Sequence, residues 1–202
     1  MKRSLLALSL FAGAADAQEI TREQRAGSPW PAVTIVTYVD ATPEEAVAVF
    51  IDYARHVEFI PSTRLSRVSR IHSASDVEVD YVVALPVVSD EAYTVRDRLS
   101  RDSSGYRVDW TLVRASSTRG TVGHARFTEA LHPKTGKPVT RFEYHNFVTP
   151  GSRIAGLGFI KNRALREMEQ TAAAFARRFE SQKKNPAAMQ GLIATLRSAL
   201  GN

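Results

Sequence analysis

The feature that most constrains this chain is a change of hydrophobic period near residue 150. Before it, apolar side chains alternate every second residue, as in Val77, Val79, Tyr81, Val83 and Leu85, and in Val108, Trp110 and Leu112 against Arg107, Asp109 and Thr111. After it, Leu157, Lys161, Leu165, Met168, Ala172, Phe175 and Phe179 recur at three- and four-residue steps, one stripe at the helical period. The alternation predicts seven strands between Thr34 and Val148, and the stripe predicts a long helix from about Ser152 to Phe179. Turn signals at Ser103-Ser104-Gly105, Ser116-Ser117 and Pro133-Lys134-Thr135-Gly136 keep the connections short, so consecutive strands are antiparallel neighbours. A helix with one apolar stripe needs a surface to cover it, and a bent sheet that wraps the helix leaves a cavity between them. The predicted class is α+β: a curved seven-stranded antiparallel sheet around a long C-terminal helix, with two short helices after the first strand.

Local signals mark the other elements. Thr42-Pro43-Glu44-Glu45 opens a helix to about Asp52, with Thr42 as N-cap, Pro43 at the first position and Glu45 three residues after the cap. A second helical segment through Tyr53, His56 and Phe59 stops at Pro61, and a strand begins near Thr63. Asn185-Pro186 breaks the chain before an amphipathic helix over 186–200 that carries Met189, Leu192, Ile193, Leu196 and Leu200. Arg197 is the only cation on its polar face, which favours packing on the body over recruitment of a membrane or another subunit. Residues 18–32, with Gly27-Ser28-Pro29 and Pro31, read as a mobile leader without fold, so the globular domain spans 33–181.

Residues 1–17 join Lys2-Arg3 to an apolar run and end in Ala15-Asp16-Ala17, the pattern of a cleaved secretory signal peptide. The expected location is a bacterial periplasm, or outright secretion. The chain has no cysteine, so even in an oxidising compartment its stability must come from its hydrophobic core. The formal net charge is +6, and its Lys and Arg are spread along the chain as on a solvated basic exterior, with attraction to anionic membranes or acidic ligands as the alternative. No nucleic-acid partner and no cofactor are expected.

Asp40-Ala41-Thr42-Pro43-Glu44-Glu45, Phe50, Asp52 and Phe59-Ile60-Pro61 resemble the start of the polyketide-cyclase and lipid-transport superfamily with the helix-grip fold. Pro86-Val87-Val88-Ser89 running into Tyr93-Thr94-Val95-Arg96, then Gly120 to His132 and the long helix, look like a START domain, the lipid-transfer branch. The resemblance covers roughly residues 33 to 180. The chain departs from the pattern at Asp90-Glu91 and at Pro150-Gly151-Ser152-Arg153. It implies a hydrophobic ligand in an apolar tunnel that holds a polar pair.

Hairpin arithmetic supplies candidates for that pair. Centring the turn at Pro86 to Asp90 sets Asp80 opposite Arg96 and Glu78 opposite Arg98, and a turn at Ser103 sets Arg96 beside Trp110. With Val108, Trp110 and Leu112 facing inward, Arg96 would point into the cavity with Asp80 as counter-ion. The alternative is an outer charge ladder with Tyr81, Tyr93, Val95 and Leu99 inside, a face that would also carry Asp97. A turn at Thr135 pairs His124 with Asn146, Arg126 with Tyr144 and Thr128 with Phe142, so Arg126, Phe142, Tyr144 and Asn146 are candidates, although Phe127 and Phe147 favour the other face. From the helix come Leu157, Lys161, Leu165 and Met168, with the mouth near Gly156-Leu157-Gly158 and Lys161 also readable as a snorkelling surface lysine.

Signals for catalysis are few. The histidines, His56, His72, His124, His132 and His145, show no metal-ligand spacing, and there is neither a G-x-S-x-G elbow nor a phosphate loop. His132, before Pro133, reads as a surface turn residue. The function expected is an exported, non-catalytic carrier of a lipid or sterol-like molecule, with transient membrane contact. The competing reading is a cyclase or aromatase-type enzyme that uses Arg96, Tyr144 or His124 in the same cavity.

Overall fold

Strand pairing organises most of the chain. The computed structural model describes residues 18–84 and 90–201, so the expected signal peptide over 1–17 and residues 85–89, which hold most of the turn expected at Pro86 to Asp90, lie outside the described residues. The strands are β1 (Glu19–Gln24), β2 (Pro31–Val39), β3 (Thr63–Ser73), β4 (Asp76–Val83), β5 (Glu91–Asp102), β6 (Gly105–Ala115), β7 (Thr118–Leu131) and β8 (Pro138–Pro150). They form one antiparallel sheet in the order β1-β2-β8-β7-β6-β5-β4-β3. Among the described residues the sheet therefore has eight strands rather than the seven expected, and the stretch expected to lack fold contains the extra one. All six residues of β1 are exposed, so it has no buried face to produce alternation. Its ladder on β2, from Glu19↔Val36 to Gln24↔Pro31, and an ion pair from Arg22 to Glu169 hold it.

Helices fill the connections. The Thr42 cap behaves as its sequence predicts: the Thr42 hydroxyl accepts from the Glu45 N–H at 3.2 Å and the Glu45 carboxylate accepts from the Thr42 N–H at 2.7 Å, opening α1 (Pro43–Phe50). A 3₁₀ turn (Tyr53–Arg55) and α2 (His56–Phe59) lead into β3. After β8 come α3 (Ser152–Ala155), α4 (Gly158–Lys183) and α5 (Pro186–Leu200). The expected single helix from Ser152 is thus broken at Gly156-Leu157, where Leu157 is extended (φ −87°, ψ 94°) between two glycines of poor helix propensity. The helix α5 starts at an Asn185 cap, buries Met189 and Leu196, and is tied to α1 by Arg197 and Glu44 at 2.9 and 3.1 Å. It packs on the body. Among the described residues no helix is long and apolar enough to cross a membrane.

Three hairpin registers differ from the expected ones: β4 on β5 is two residues off, with Arg96 opposite Glu78 and Asp80 opposite Thr94, and the other two differ in parity. Asp102 pairs with Gly105, which leaves Ser103 and Ser104 in a two-residue turn where the Asp102 carboxylate accepts from the Ser104 N–H at 2.7 Å. Gly105 has φ +140°, a conformation that glycine tolerates, and an added Cβ would collide with the Phe127 carbonyl. The partner of Trp110 is therefore Asp97, and Arg96 lies opposite Thr111. In the other hairpin Leu131 pairs with Pro138, so Phe127 meets Phe142, Ala125 meets Tyr144 and Gly123 meets Asn146. A half-residue move of a turn centre turns one strand over against its neighbour. His132 organises the second turn: it is buried, against the surface position expected of it, and its Nδ1 accepts from the N–H groups of Lys134 and Thr135 at 3.1 and 3.2 Å. Between Thr94↔Arg114 and Val95↔Leu112, Val113 is an extra residue, a bulge of the kind that bends a sheet.

The core sits between the sheet's inner face and α4, at the end covered by α1. Phe127 stacks on Phe142 at 5.3 Å, Phe142 meets Phe179 edge-on at 5.2 Å, and Phe50 stacks on Phe175 at 4.6 Å. Val108, Phe127, Phe142 and Phe179 are wholly buried.

Candidate functional site

The inward faces that carry this phenylalanine cluster continue beyond it, and there they no longer meet. Along β8, Phe142 is followed by Tyr144, Asn146 and Val148; along β6, Val108 is followed by Trp110 and Leu112; along α4, toward its start, Phe175 gives way to Thr171, Met168, Ala164 and Ile160. They enclose a cavity of about 240 Å³, many times the roughly 10–15 Å³ that one water needs. Ile154, Ile160 and Trp30 stand along it toward the β8–α3 connection, and His56, Ile60 and Pro61 contribute from the β2–β3 crossover.

Trp110 divides the filled part from the hollow. Its ring lies across β7 because position 123 is glycine: a Cβ there would come within 2.5 Å of the indole and strike the His145 carbonyl. The Trp110 Nε1–H donates to Asn146 Oδ1 at 3.2 Å, the Thr121 hydroxyl donates to the same oxygen at 3.0 Å, and Tyr144 packs against the indole at 5.3 Å.

A polar group lies deeper. Asp97, on β5 opposite Trp110, is only 4% exposed, and burial raises its carboxyl to about 7 against the lowering effect of a Tyr53 hydrogen bond. Its Oδ1 has no hydrogen-bond partner. Burial also raises the hydroxyls of Tyr53, Tyr81, Tyr93 and Tyr144, each further disfavoured as phenolate by the Asp97 charge. His56 joins this group. Its Nε2 donates to the Phe50 carbonyl at 2.9 Å, which leaves Nδ1 to accept from the Tyr81 hydroxyl at 3.0 Å, and burial lowers the ring to about 4. The imidazole is neutral at pH 7.

The other lining carboxylates accept hydrogen bonds from the protein. Burial pushes the Glu91 carboxyl up, but hydrogen bonds from Ser117 and Ser116 and from the N–H groups of Ser117 and Thr118 outweigh it and hold it below the usual range. Glu167 accepts from Arg163 at 2.7 Å and from the Ser62 hydroxyl at 3.1 Å. Ser62 has φ +60°, an uncommon backbone for serine that aims this hydroxyl at α4. Among the described residues no cluster of three or more His, Asp or Glu is arranged to hold a metal ion.

Of the residues singled out from sequence, the structure brings Trp110, Leu112, Tyr144, Asn146 and Met168 together around the cavity. Val108, Phe142 and Leu165 belong to the packed core. Leu157 is 38% exposed, outside the helix, and Lys161 is half-buried without lining the cavity; Ile160 and Ala164 take the places assigned to them because α4 begins only at Gly158. Asp80, Arg96 and Arg126 are on the outer face, a correction that follows from the register. Arg96 grips Asp76 through two hydrogen bonds of 2.7 Å, which hold that carboxyl down at about 2. Asp80 accepts from Thr94 at 2.7 Å, Ser69 at 3.0 Å and Arg114 at 3.1 Å, and Arg126 reaches Ser104 at 2.7 Å. His124 is also outside, paired with Glu143 at 3.0 Å. The outer charge ladder is the arrangement found, with Tyr81, Tyr93, Val95 and Leu99 on the inner side. The residues that sequence reasoning did not select are Asp97 and His56; the available signal was an acid interrupting the apolar series Tyr93, Val95 and Leu99.

No protein-family model matches the chain, and a search of curated proteins found no match. Solved structures do resemble it. A STAR-related lipid transfer protein fragment from Xanthomonas axonopodis superposes with a TM-score of 0.64 at 12% identity, over 81% of this chain and 99% of that one. Human StAR-related lipid transfer protein 5 gives 0.58 at 13% identity, over 83% and 88%. The di-domain ARO/CYC StfQ of the steffimycin biosynthetic pathway gives 0.54 at 14% identity, over 76% and 52%. The curved sheet, the two short crossover helices and the long closing helix are those of the helix-grip fold shared by START lipid-transfer domains and polyketide aromatase/cyclases.

Proposed function

We propose that this protein binds and carries a hydrophobic small molecule, a lipid or sterol-like compound, in the cavity between sheet and α4, without chemistry, after export under the 1–17 leader. The observation that carries the reading is the cavity of about 240 Å³ left beside a well-packed phenylalanine core. Withdrawing roughly 300 Å² of apolar ligand surface at about 25 cal/mol per Å² is worth about 7 kcal/mol, enough for useful affinity without a reaction. Leu157 and Phe159, 38% and 54% exposed, neighbour the lining residues Ile154 and Ile160 in sequence and give the open side an apolar rim for brief contact with a membrane. Solvent extraction and native mass spectrometry of protein from its own host test the reading: a co-purifying apolar molecule supports it, and a cavity that stays empty when offered lipid overturns it. Cell fractionation with N-terminal sequencing tests export, with a mature chain beginning at Gln18 as the expected result.

One observation favours a second reading, an enzyme of the cyclase or aromatase type. Asp97, with a carboxyl near 7, is poised to take or give a proton inside the cavity that Tyr144 also lines. Turnover abolished in Asp97→Asn with ligand binding intact would select it.

A further inference from the structure

Three buried side-chain polar atoms lack partners among the described residues, and two of them, Asp97 Oδ1 and Trp30 Nε1, belong to residues that line the cavity. A buried acceptor without a donor is costly in an isolated protein and becomes a recognition element when a ligand supplies that donor. We propose that Asp97 is the polar anchor of the cavity and that it selects an apolar molecule ending in a neutral hydrogen-bond donor, an alcohol, over one ending in a carboxylate or phosphate. The inference rests on the carrier reading and deepens it by assigning the class of ligand.

Charge carries the argument. Among the described residues the lining includes Glu91, Asp97 and Glu167 but no lysine or arginine, so an anionic head group in the cavity would meet carboxylates and no counter-ion from them. Glu91 accepts at both oxygens and Glu167 is held by Arg163, so the lining carboxylate oxygen that is buried without a partner among the described residues is Asp97 Oδ1. The titratable groups around Asp97 are Tyr53 from the 3₁₀ turn, Tyr81 from β4, Tyr93 from β5 and Tyr144 from β8, all held in their neutral form by burial. The neighbouring hydroxyls of Tyr53 and Tyr81 are directed to Asp97 and His56 respectively. A ligand hydroxyl would donate to Asp97 Oδ1 while its body lay along Val95, Leu112, Val148 and Met168. An ammonium would have to be desolvated as well, a larger cost than that of a hydroxyl.

The test displaces an environment-sensitive apolar dye from the purified protein, at about pH 8.5 where Asp97 is ionised, with dodecanol, its methyl ether, dodecanoic acid and dodecylamine. Dodecanol is expected to compete about tenfold better than the ether, which lacks the donor, and better still than the acid. In Asp97→Asn the gap between alcohol, ether and acid should shrink to within about threefold, because the amide both donates and accepts and carries no charge. Equal competition by alcohol and ether, an amine that outcompetes the alcohol, or an unchanged preference in Asp97→Asn overturns the proposal and leaves the carrier reading standing. Failure of every probe and of the dye to bind overturns both. If Asp97→Asn does not fold, the alcohol–ether comparison on the wild-type protein decides alone.

Discussion

The two halves of the interior are built on the same strands and the same helix, yet one is filled and the other hollow. Around Phe127, Phe142, Phe175 and Phe179 every ring has aromatic neighbours, with His56 meeting Phe175 edge-on at 5.1 Å on the side toward the hollow. In the hollow half the large side chains on the strands include Tyr144, Tyr93 and Tyr81, while α4 presents Met168, Ala164 and Thr171 instead of phenylalanine. The difference teaches that a cavity in this fold is a matter of side-chain choice within continuous elements. The filled end supplies the stability that lets the hollow end carry an unpaired acid.

Substitutions should respond in opposite ways at the two ends. The largest effect is expected from Phe142→Ala, which opens a void in the filled half and should cost about 3–5 kcal/mol in chemical denaturation, whereas Leu112→Ala, at a wall already facing space, should cost about 1 kcal/mol. Equal costs would erase the distinction. Next comes pH. Asp97 in the folded chain keeps its proton up to about 7, far above an exposed carboxylate, so its contribution is complete below about pH 4 and is lost as pH rises through 7. His56, lowered to about 4, acts the other way: its contribution is present above the ordinary histidine value of 6.5 and is lost as pH falls toward 4. Asp97→Asn removes only the first effect and should gain about 2–3 kcal/mol on wild type between pH 5 and pH 8, read from denaturation midpoints. A constant difference would place the carboxyl in water. Gly123→Ala should cost about 2 kcal/mol, shift Trp110 fluorescence and weaken uptake of an apolar dye, because the new methyl group displaces the indole at the boundary of the two halves. The smallest effect belongs to Arg96→Ala: dye affinity within about twofold of wild type, since its partner Asp76 is on the outer face.

Much of this architecture was legible because it is written locally. The Thr42 capping box, the Asn185-Pro186 start of α5 and the stripe from Met168 to Phe179 each depend on residues within a few positions, and each forms where the sequence placed it. The site was less legible because it depends on register, which is nonlocal. A two-residue turn at Ser103-Ser104 in place of one centred on Ser103 exchanges Arg96 for Asp97 beside Trp110, and this one change of parity turns an expected ion pair into a lone acid. The strand β1 left no trace for another reason: both its faces are wet, so nothing in Glu19–Gln24 had to alternate. Leu157 was misplaced because a stripe can be counted through Gly156 and Gly158 although the backbone does not continue through them.

The pairing of β2 with β8 joins residues from opposite ends of the domain, Val33 with Asn146 and Val39 with Thr140. Such a closure has to bring together segments far apart in the chain, a nonlocal contact that loop-closure entropy makes slower to form than the local hairpins. Val33 and Ile35 stay without their β8 partners until β8 has been synthesised, and a nascent chain released before Pro150 would expose them as an adhesive edge.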